Sequence, residues 1–243
     1  SDAKIGVLHT TTDDGVSIKA GIEEEAALAE RTDDFIYKSF DATNTANLTT
    51  AITELKAEGV SAVIIAANQV PMKAAIAQME ANALHVPVFT SYVNADATSV
   101  DNATAYSFDI YANAWIDLST AEGLTDYTDF ATIMTAAGYG ATSDTNYTAN
   151  SFAIAGYIAA YIFVQGLERV GTEELTWRTY IEAMEDAPLN IPMGGSADFT
   201  GGKRWGVTSM ALLKLTATTV NDANVYTWVK TREIEALDTI QAK

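Results

Sequence analysis

Cysteine is absent from the 243 residues, so the chain has no disulfide, no thiol nucleophile and no thiolate metal site. That absence assigns no compartment, because many exported proteins also lack disulfides. Histidine is nearly absent too: His9 and His85 are too few for a His-rich metal cluster. Basic side chains are scarce, 14 against 32 acidic ones, for a formal charge of -18. A surface of that sign repels a phosphate backbone and no Lys/Arg cluster interrupts it, which excludes nucleic acid and anionic membrane surfaces as partners. Long apolar runs are missing as well. The most apolar stretch, residues 152–167, is broken by Tyr157, Tyr161, Gln165 and Gly166. It falls short of the roughly 20 residues that a bilayer span needs and is expected to be a buried helix of a soluble domain. No internal repeat and no low-complexity tract occurs.

What is present is an apolar content of 48%, enough for a globular core. Residues 4–8 form a short apolar strand, and Ile18, Ile22, Ala26 and Ala29 fall on one face of a helix over 15–30. A second strand follows at 34–40, and Leu48, Ile52 and Leu55 recur at helical spacing until Gly59, a residue suited to close a helix. "AVIIAA" at 62–67 is apolar throughout, as a central parallel strand covered on both faces should be. Met72, Ile76, Met79 and Ala83 mark a third helix, and "VPVFT" at 86–90 a fourth strand. Four strands joined by three crossover helices predict an α/β fold with a doubly wound parallel sheet.

Beyond Tyr92 the rhythm changes. Residues 94–104 are polar and turn-rich, 105–110 read as a fifth strand, and 126–137 resume a helix. The next helix, 151–170, is apolar nearly all round and must be covered on several sides. A helix at 173–186 carries Trp177, Tyr180, Ile181 and Met184 as its apolar stripe. "NIPMGGSADFTGGKRWG" then supplies three pairs of turn signals before strands at 207–215 and 225–229. This second half has large helices but few central strands for them to cover.

The order of these elements resembles that of extracytoplasmic solute-binding proteins of the branched-chain amino acid (Leu/Ile/Val) type, with the type I periplasmic-binding fold. The residues that carry the likeness are "KIGVLHTTTDDG", "AITELKAEGVSAVIIAANQVPMKAAIAQM", "VPVFTSY", "NSFAIAGYIAAYIFVQGLERVG" and the late "MGGSADFTGGKRWG". The resemblance implies two lobes around a cleft, with several crossings between them. Residues 4–118 would be the second lobe, complete, and 119–243 would hold segments returning to a partial first lobe plus the late strands. The first lobe's opening half would be lacking, as in a C-terminal portion of such a protein. A dimer or a swapped assembly would then hide the face left open on the helix at 151–170. The implied partners are a small amino acid-like solute and an ABC permease. No cofactor, metal or catalysis is implied, and the location would be extracytoplasmic, in a periplasm or tethered at the cell surface.

Ligands of open parallel sheets bind beyond the C-terminal strand ends. Those ends place Thr10, Thr11, Thr12, Asp13, Asp14, Asn68, Gln69, Ser91, Tyr92 and Asn94 on one wall of hydroxyls, amides and carboxylates. By resemblance, the residue before the glycine that opens the first helix reaches the ligand; Asp14 holds that place and would pair with a solute ammonium. Duller roles remain open at each position. Asp13 or Asp14 would serve as an N-cap, Asn68 and Gln69 also precede a helix, and Tyr92 would pack at an edge. His9 at a strand end reads as structural, His85 as solvated, and Trp115 and Trp205 as apolar packing.

Other chemistries fail for want of parts. A phosphoacceptor receiver needs an aspartate at the end of the third strand, where this chain has Ala66-Ala67-Asn68. The turn "TTTDDG" lacks G-x-G-x-x-G, and its acids would repel a pyrophosphate. No G-x-S-x-G elbow occurs. An extracellular ligand-sensing domain of a receptor stays open beside a transport component, because the same module serves both, and an α/β enzyme is the third alternative.

Overall fold

The computed structural model describes residues 3–41, 43–95, 99–118, 120–148, 150–204, 206–220 and 223–241. They divide into two compact units: Ser1–Asn113 with Leu213–Val229, and Ala114–Leu212 with Lys230–Lys243. The chain therefore crosses between units three times.

In the first unit the expected alternation is present: β1 Ile5–Thr10, α1 Asp13–Leu28, β2 Phe35–Phe40, α2 Thr45–Ala57, β3 Ala62–Ala66, α3 Val70–Ala81, β4 Val88–Thr90 and β5 Ile110–Ala114. The strand order is β2-β1-β3-β4-β5, all parallel, followed by the long β8 Ser209–Val220 and β9 Ala223–Ala236. β1 is paired from Ile5↔Phe35 to Thr10↔Phe40 on one side and from Ile5↔Ala62 to His9↔Ala66 on the other. Leu8, Phe40, Leu48, Ile52, Leu55, Val63, Ile65, Met72, Ile76 and Met79 form its core. Burial of each large aliphatic side chain contributes about 1.5–3 kcal/mol. Gly6 lets α2 lie close, since a Cβ there would stand 3.0 Å from Leu55 Cδ1.

Helix ends follow local chemistry. α1, α2, α3 and α4 (Ala121–Ala136) each close with a paired 6→1 and 5→2 bond, such as Arg31 N–H to Ala26 O and Glu30 N–H to Ala27 O. Glycine takes the left-handed position after α2 and α4, at Gly59 and Gly138, whereas Glu30 and Ala83 take it after α1 and α3. The fifth strand lies later than the 105–110 expected. Ser107 gives its backbone N–H and hydroxyl to the Glu80 carboxylate at 2.7 and 2.8 Å, and Tyr106 N–H goes to Tyr226 Oη, so side chains take bonds that a ladder would need.

The second unit holds α4, α5 Ser151–Val170, α6 Trp177–Asp186 and a small antiparallel pair, β6 Leu189–Asn190 with β7 Ser196–Ala197; α7 Leu237–Gln241 ends it. α4 starts earlier than expected because Thr120 Oγ1 accepts from Gly123 N–H, and α6 starts later because Thr176 and Thr179 cap each other's backbone. Phe130, Ile154, Ile158, Ile191 and Met193 form the core, with Trp115 packed against it; Trp205 lies outside the described residues. α6 meets α5 at Gly166, where a Cβ would come within 2.6 Å of Met184 Sδ and 2.7 Å of Tyr180 Cε2. Arg169 closes the end of α6 by donating to the carbonyls of Ala183, Ala187 and Pro188.

Two expectations are corrected here. α5 is not a buried helix: its buried residues are Ile154, Ile158, Gly166 and Val170, while Phe152 and Phe163 remain more than half exposed. At 20 residues it is also long and apolar enough to cross a membrane, by length and composition alone, because the helix continues past both ends of the 152–167 run. On α6, Trp177 is 74% exposed and only part of the stripe, Tyr180 and Met184, faces α5.

Candidate functional site

β1 has β2 on one side and β3 on the other, so the chain reverses its winding between β1 and β3. In open α/β sheets such a switch point is where successive helices leave in different directions and a ligand crevice lies beyond the strand ends. Its rim is made by the turns β1–α1 and β3–α3 and by the segment after β4.

The first turn is shaped by Gly15. A Cβ there would lie 2.1 Å from Thr10 Oγ1 and 2.5 Å from Thr10 O, so only glycine lets α1 start this close to the strand. Neither aspartate is the N-cap. Thr12 holds that position and makes no side-chain cap bond; Asp13 and Asp14 fall in the first turn of α1. There the helix dipole favours negative charge by about 0.3–1 kcal/mol each. Thr12 instead donates its hydroxyl to Asp14 Oδ1 at 2.5 Å. That fixes the neighbouring 2.7 Å contact: the buried Thr10 hydroxyl donates to Thr12 Oγ1. A relay from Thr10 through Thr12 thus ends on Asp14, orienting a half-buried carboxylate whose second oxygen has no partner among the described residues.

The second turn is held from the third. Gln69 has φ 53 and ψ -111, a conformation that favours glycine, as at the first central residue of a type II′ turn. Its N–H donates to Asn94 Oδ1 at 2.5 Å, and Asn94 Nδ2 donates to Ala67 O at 2.8 Å and Thr90 Oγ1 at 2.6 Å. Thr90 in turn donates to Ile65 O. Ser91 Oγ donates to Asn68 Oδ1 at 2.8 Å, a second tie between the same segments.

Of the residues expected on the wall, Thr12 and Asp13 are exposed, Asp14, Asn68, Gln69 and Ser91 are half-buried, and Tyr92 is 39% exposed. Asn94 differs. It is fully buried with its amide consumed by the protein, so it braces the wall and offers nothing to a solute. Thr90, missed as a contributor, is the other half of that brace; its only sequence signal is a hydroxyl at the end of an apolar strand. His9 is structural, with Nδ1 3.1 Å from the Thr10 carbonyl and therefore the donor, and His85 pairs with Glu80 at 3.3 Å. Among the described residues no group of three or more His, Asp or Glu side chains converges.

The sequence profile of the family described as periplasmic binding protein matches residues 2–220. The chain belongs to that family. Its sheet and helix order are those of the type I periplasmic-binding fold, and solved relatives superpose over nearly all of it. The Leu-, Ile-, Val-, Thr- and Ala-binding protein from Brucella ovis, in a closed conformation, has a TM-score of 0.69 at 14% identity, covering 97% of this chain and 58% of its own. A branched-chain amino acid ABC transporter protein from Thermus thermophilus with bound valine gives 0.68 at 16%, over 97% and 61%. A fatty acid ABC transporter substrate-binding protein from Thermomonospora curvata gives 0.65 at 14%, over 99% and 59%. This periplasmic binding protein chain therefore spans about three-fifths of the length of those structures. Identities this low establish a shared fold. No curated protein matches the chain.

Proposed function

We propose that this chain is part of the solute-binding component of an ABC importer, and that its β1/β3 crevice receives a small polar solute carrying an ammonium group, an amino acid or a related amine. The observation that carries the reading is the Asp14 carboxylate, oriented on one oxygen by the Thr10–Thr12 relay and open on the other. A free carboxylate oxygen at a ligand crevice suits an ammonium donor, and such charge-assisted bonds are about twice as strong as neutral ones. Asp13, Asn68, Gln69, Ser91 and Tyr92 complete the wall. Its amides and hydroxyls favour a polar solute over the acyl chain named for the Thermomonospora curvata protein.

In the proposed cycle the solute docks on this wall and a second lobe hinges over it. The closed form is selected because only it makes both sets of contacts, and no bond is made or broken. The site of action is extracytoplasmic, and the closed form is what a permease receives. One wall alone holds its solute weakly.

The test is an amide-resolved NMR titration of this chain with glycine, leucine, ethylammonium and acetate. Expected are shifts at Thr12, Asp13, Gln69 and Tyr92 with the three ammonium-bearing probes in the millimolar range and none with acetate. Shifts with acetate but not with ethylammonium would overturn the assignment, as would chemical conversion of any probe.

A further inference from the structure

The three crossings between units fall at residues 113–114, 212–213 and 229–230, and on the second-unit side each is tied to another. The first crossing leaves the ladder when β5 ends at Ala114, and its backbone then meets the β6–β7 turn, where Asp117 N–H donates to Met193 O at 2.5 Å. Gly194, at φ 137, keeps that approach close. A Cβ there would stand 3.0 Å from Asp117 N and 3.3 Å from Ile234 Cδ1, so the first crossing, the turn and the end of β9 pack on one point. The second and third crossings are neighbouring strands, β8 beside β9. Thr231 Oγ1 also donates to Leu212 O at 3.0 Å, and Leu237 N–H to Thr208 O at 2.8 Å.

An ion pair links the first crossing to the third. Lys230, the first residue of the third crossing on this side, donates Nζ to Asp117 Oδ2 at 2.7 Å and to Glu233 Oε2 at 2.5 Å. The Lys230 and Asp117 side chains are only 15% and 9% exposed. Taking two charges this far out of water is costly, and apolar side chains of the same volume would serve stability as well or better. What the charged pair adds is geometry, because its bond is satisfied in one arrangement of the two segments and is lost when either slides.

We propose that Lys230 is a clamp that joins the second-unit ends of all three crossings into one mechanical element, so that the hinge closure proposed above bends them together. The clamp rests on that closure for its use, and its existence is tested without solute. The experiment is amide hydrogen exchange of the full chain, followed residue by residue by NMR. Lys230→Met keeps the stem and removes the charge. It should speed exchange at residues 114–118, 193–195 and 230–236 by about tenfold or more while β1, β2 and β3 keep their rates, as a local opening does and a global loss of stability does not. Lys230→Arg, which retains the charge, should stay within about threefold of the parent. Gly194→Ala presses on Asp117 and Ile234 without touching the pair and should loosen the same segments. Asp117→Asn is a milder loss that gives the same readout if Lys230→Met does not fold. Unchanged exchange at 114–118, a rise confined to 230–236, an equal rise in β1–β3, or an arginine variant as loose as the methionine one overturns the clamp. Failure of the clamp leaves the reading of the crevice standing, and ammonium probes that fail to bind leave the clamp standing.

Discussion

Replacing Gln69 by glycine should stabilise the protein. Gln69 sits at φ 53 and ψ -111, where a Cβ is disfavoured, and a side chain held in such a region costs about 1–3 kcal/mol. Glycine relieves that strain but adds about 0.4–1 kcal/mol of chain entropy to the unfolded state. The Asn94 bond is to the backbone N–H and survives the change. The net expectation is a gain of roughly 0.5–2 kcal/mol, and a transition midpoint raised by about 2–4 °C per kcal/mol for a chain of this size. Urea and thermal unfolding followed by circular dichroism measure it, with fluorescence of Trp228, packed on the first unit's core, as the local reporter. Ala83→Gly is the control, since Ala83 also has positive φ, at a helix end away from the crevice. Both changes should stabilise, but only Gln69→Gly should reduce the NMR response to ammonium probes. A lower midpoint for Gln69→Gly with the Ala83 control raised would refute the reasoning. In that case the Gln69 conformation is supported by side-chain contacts rather than imposed by the Asn94 brace.

Asp14→Asn should weaken an ammonium-bearing solute by more than about 1 kcal/mol in calorimetry, because it removes the charged acceptor; unchanged affinity would return Asp14 to a helix-dipole role. Asn94→Ala should destabilise by roughly 2–4 kcal/mol in urea unfolding, since it strands the Gln69 N–H and the Ala67 carbonyl in a buried site. Gly15→Ala should destabilise by about 1–3 kcal/mol or more, the Cβ meeting Thr10 backbone that cannot rotate away, and near-neutral stability would show that α1 shifts freely. Asp198 is held down to about 2 by the Lys203 side chain and by Thr200. A folded value below the unfolded one means a stabilising contribution present above about pH 4 and lost as pH falls through about 2. Carboxyl carbon NMR should show that low midpoint, and Lys203→Met should raise it.

How much of this was legible depends on where each residue's partners lie. The β1-to-β4 alternation could be read because its apolar periodicity is local, and the same holds for the exact span of α5, set by Asn150 accepting from Phe152 and Ala153 and by Gly171 at φ 62. The fifth strand was misplaced because Tyr106 and Phe108 alternate like strand residues, while the groups that claim the backbone there are Glu80 and Tyr226, far along the chain in either direction. Asn94 looked like one more polar wall residue for the same reason. Its role depends on Ala67 and Gln69, which only the parallel sheet brings beside it. Asp14 stands out in the sequence by its place before Gly15, but the relay that orients it was hidden in a run of threonines whose composition alone suggests nothing.

The α5 case marks the boundary differently. An all-round apolar helix states that cover is needed, and that requirement is a property of its own sequence. Which polypeptide supplies the cover is a property of everything else: α4 and the β6–β7 segment reach the side of Ile154 and Ile158, α6 reaches Phe163 and Gly166, and Phe152 and Val164 stay exposed. A helix whose sequence asks for more burial than its own unit provides leaves the rest of its apolar face for other polypeptide to cover.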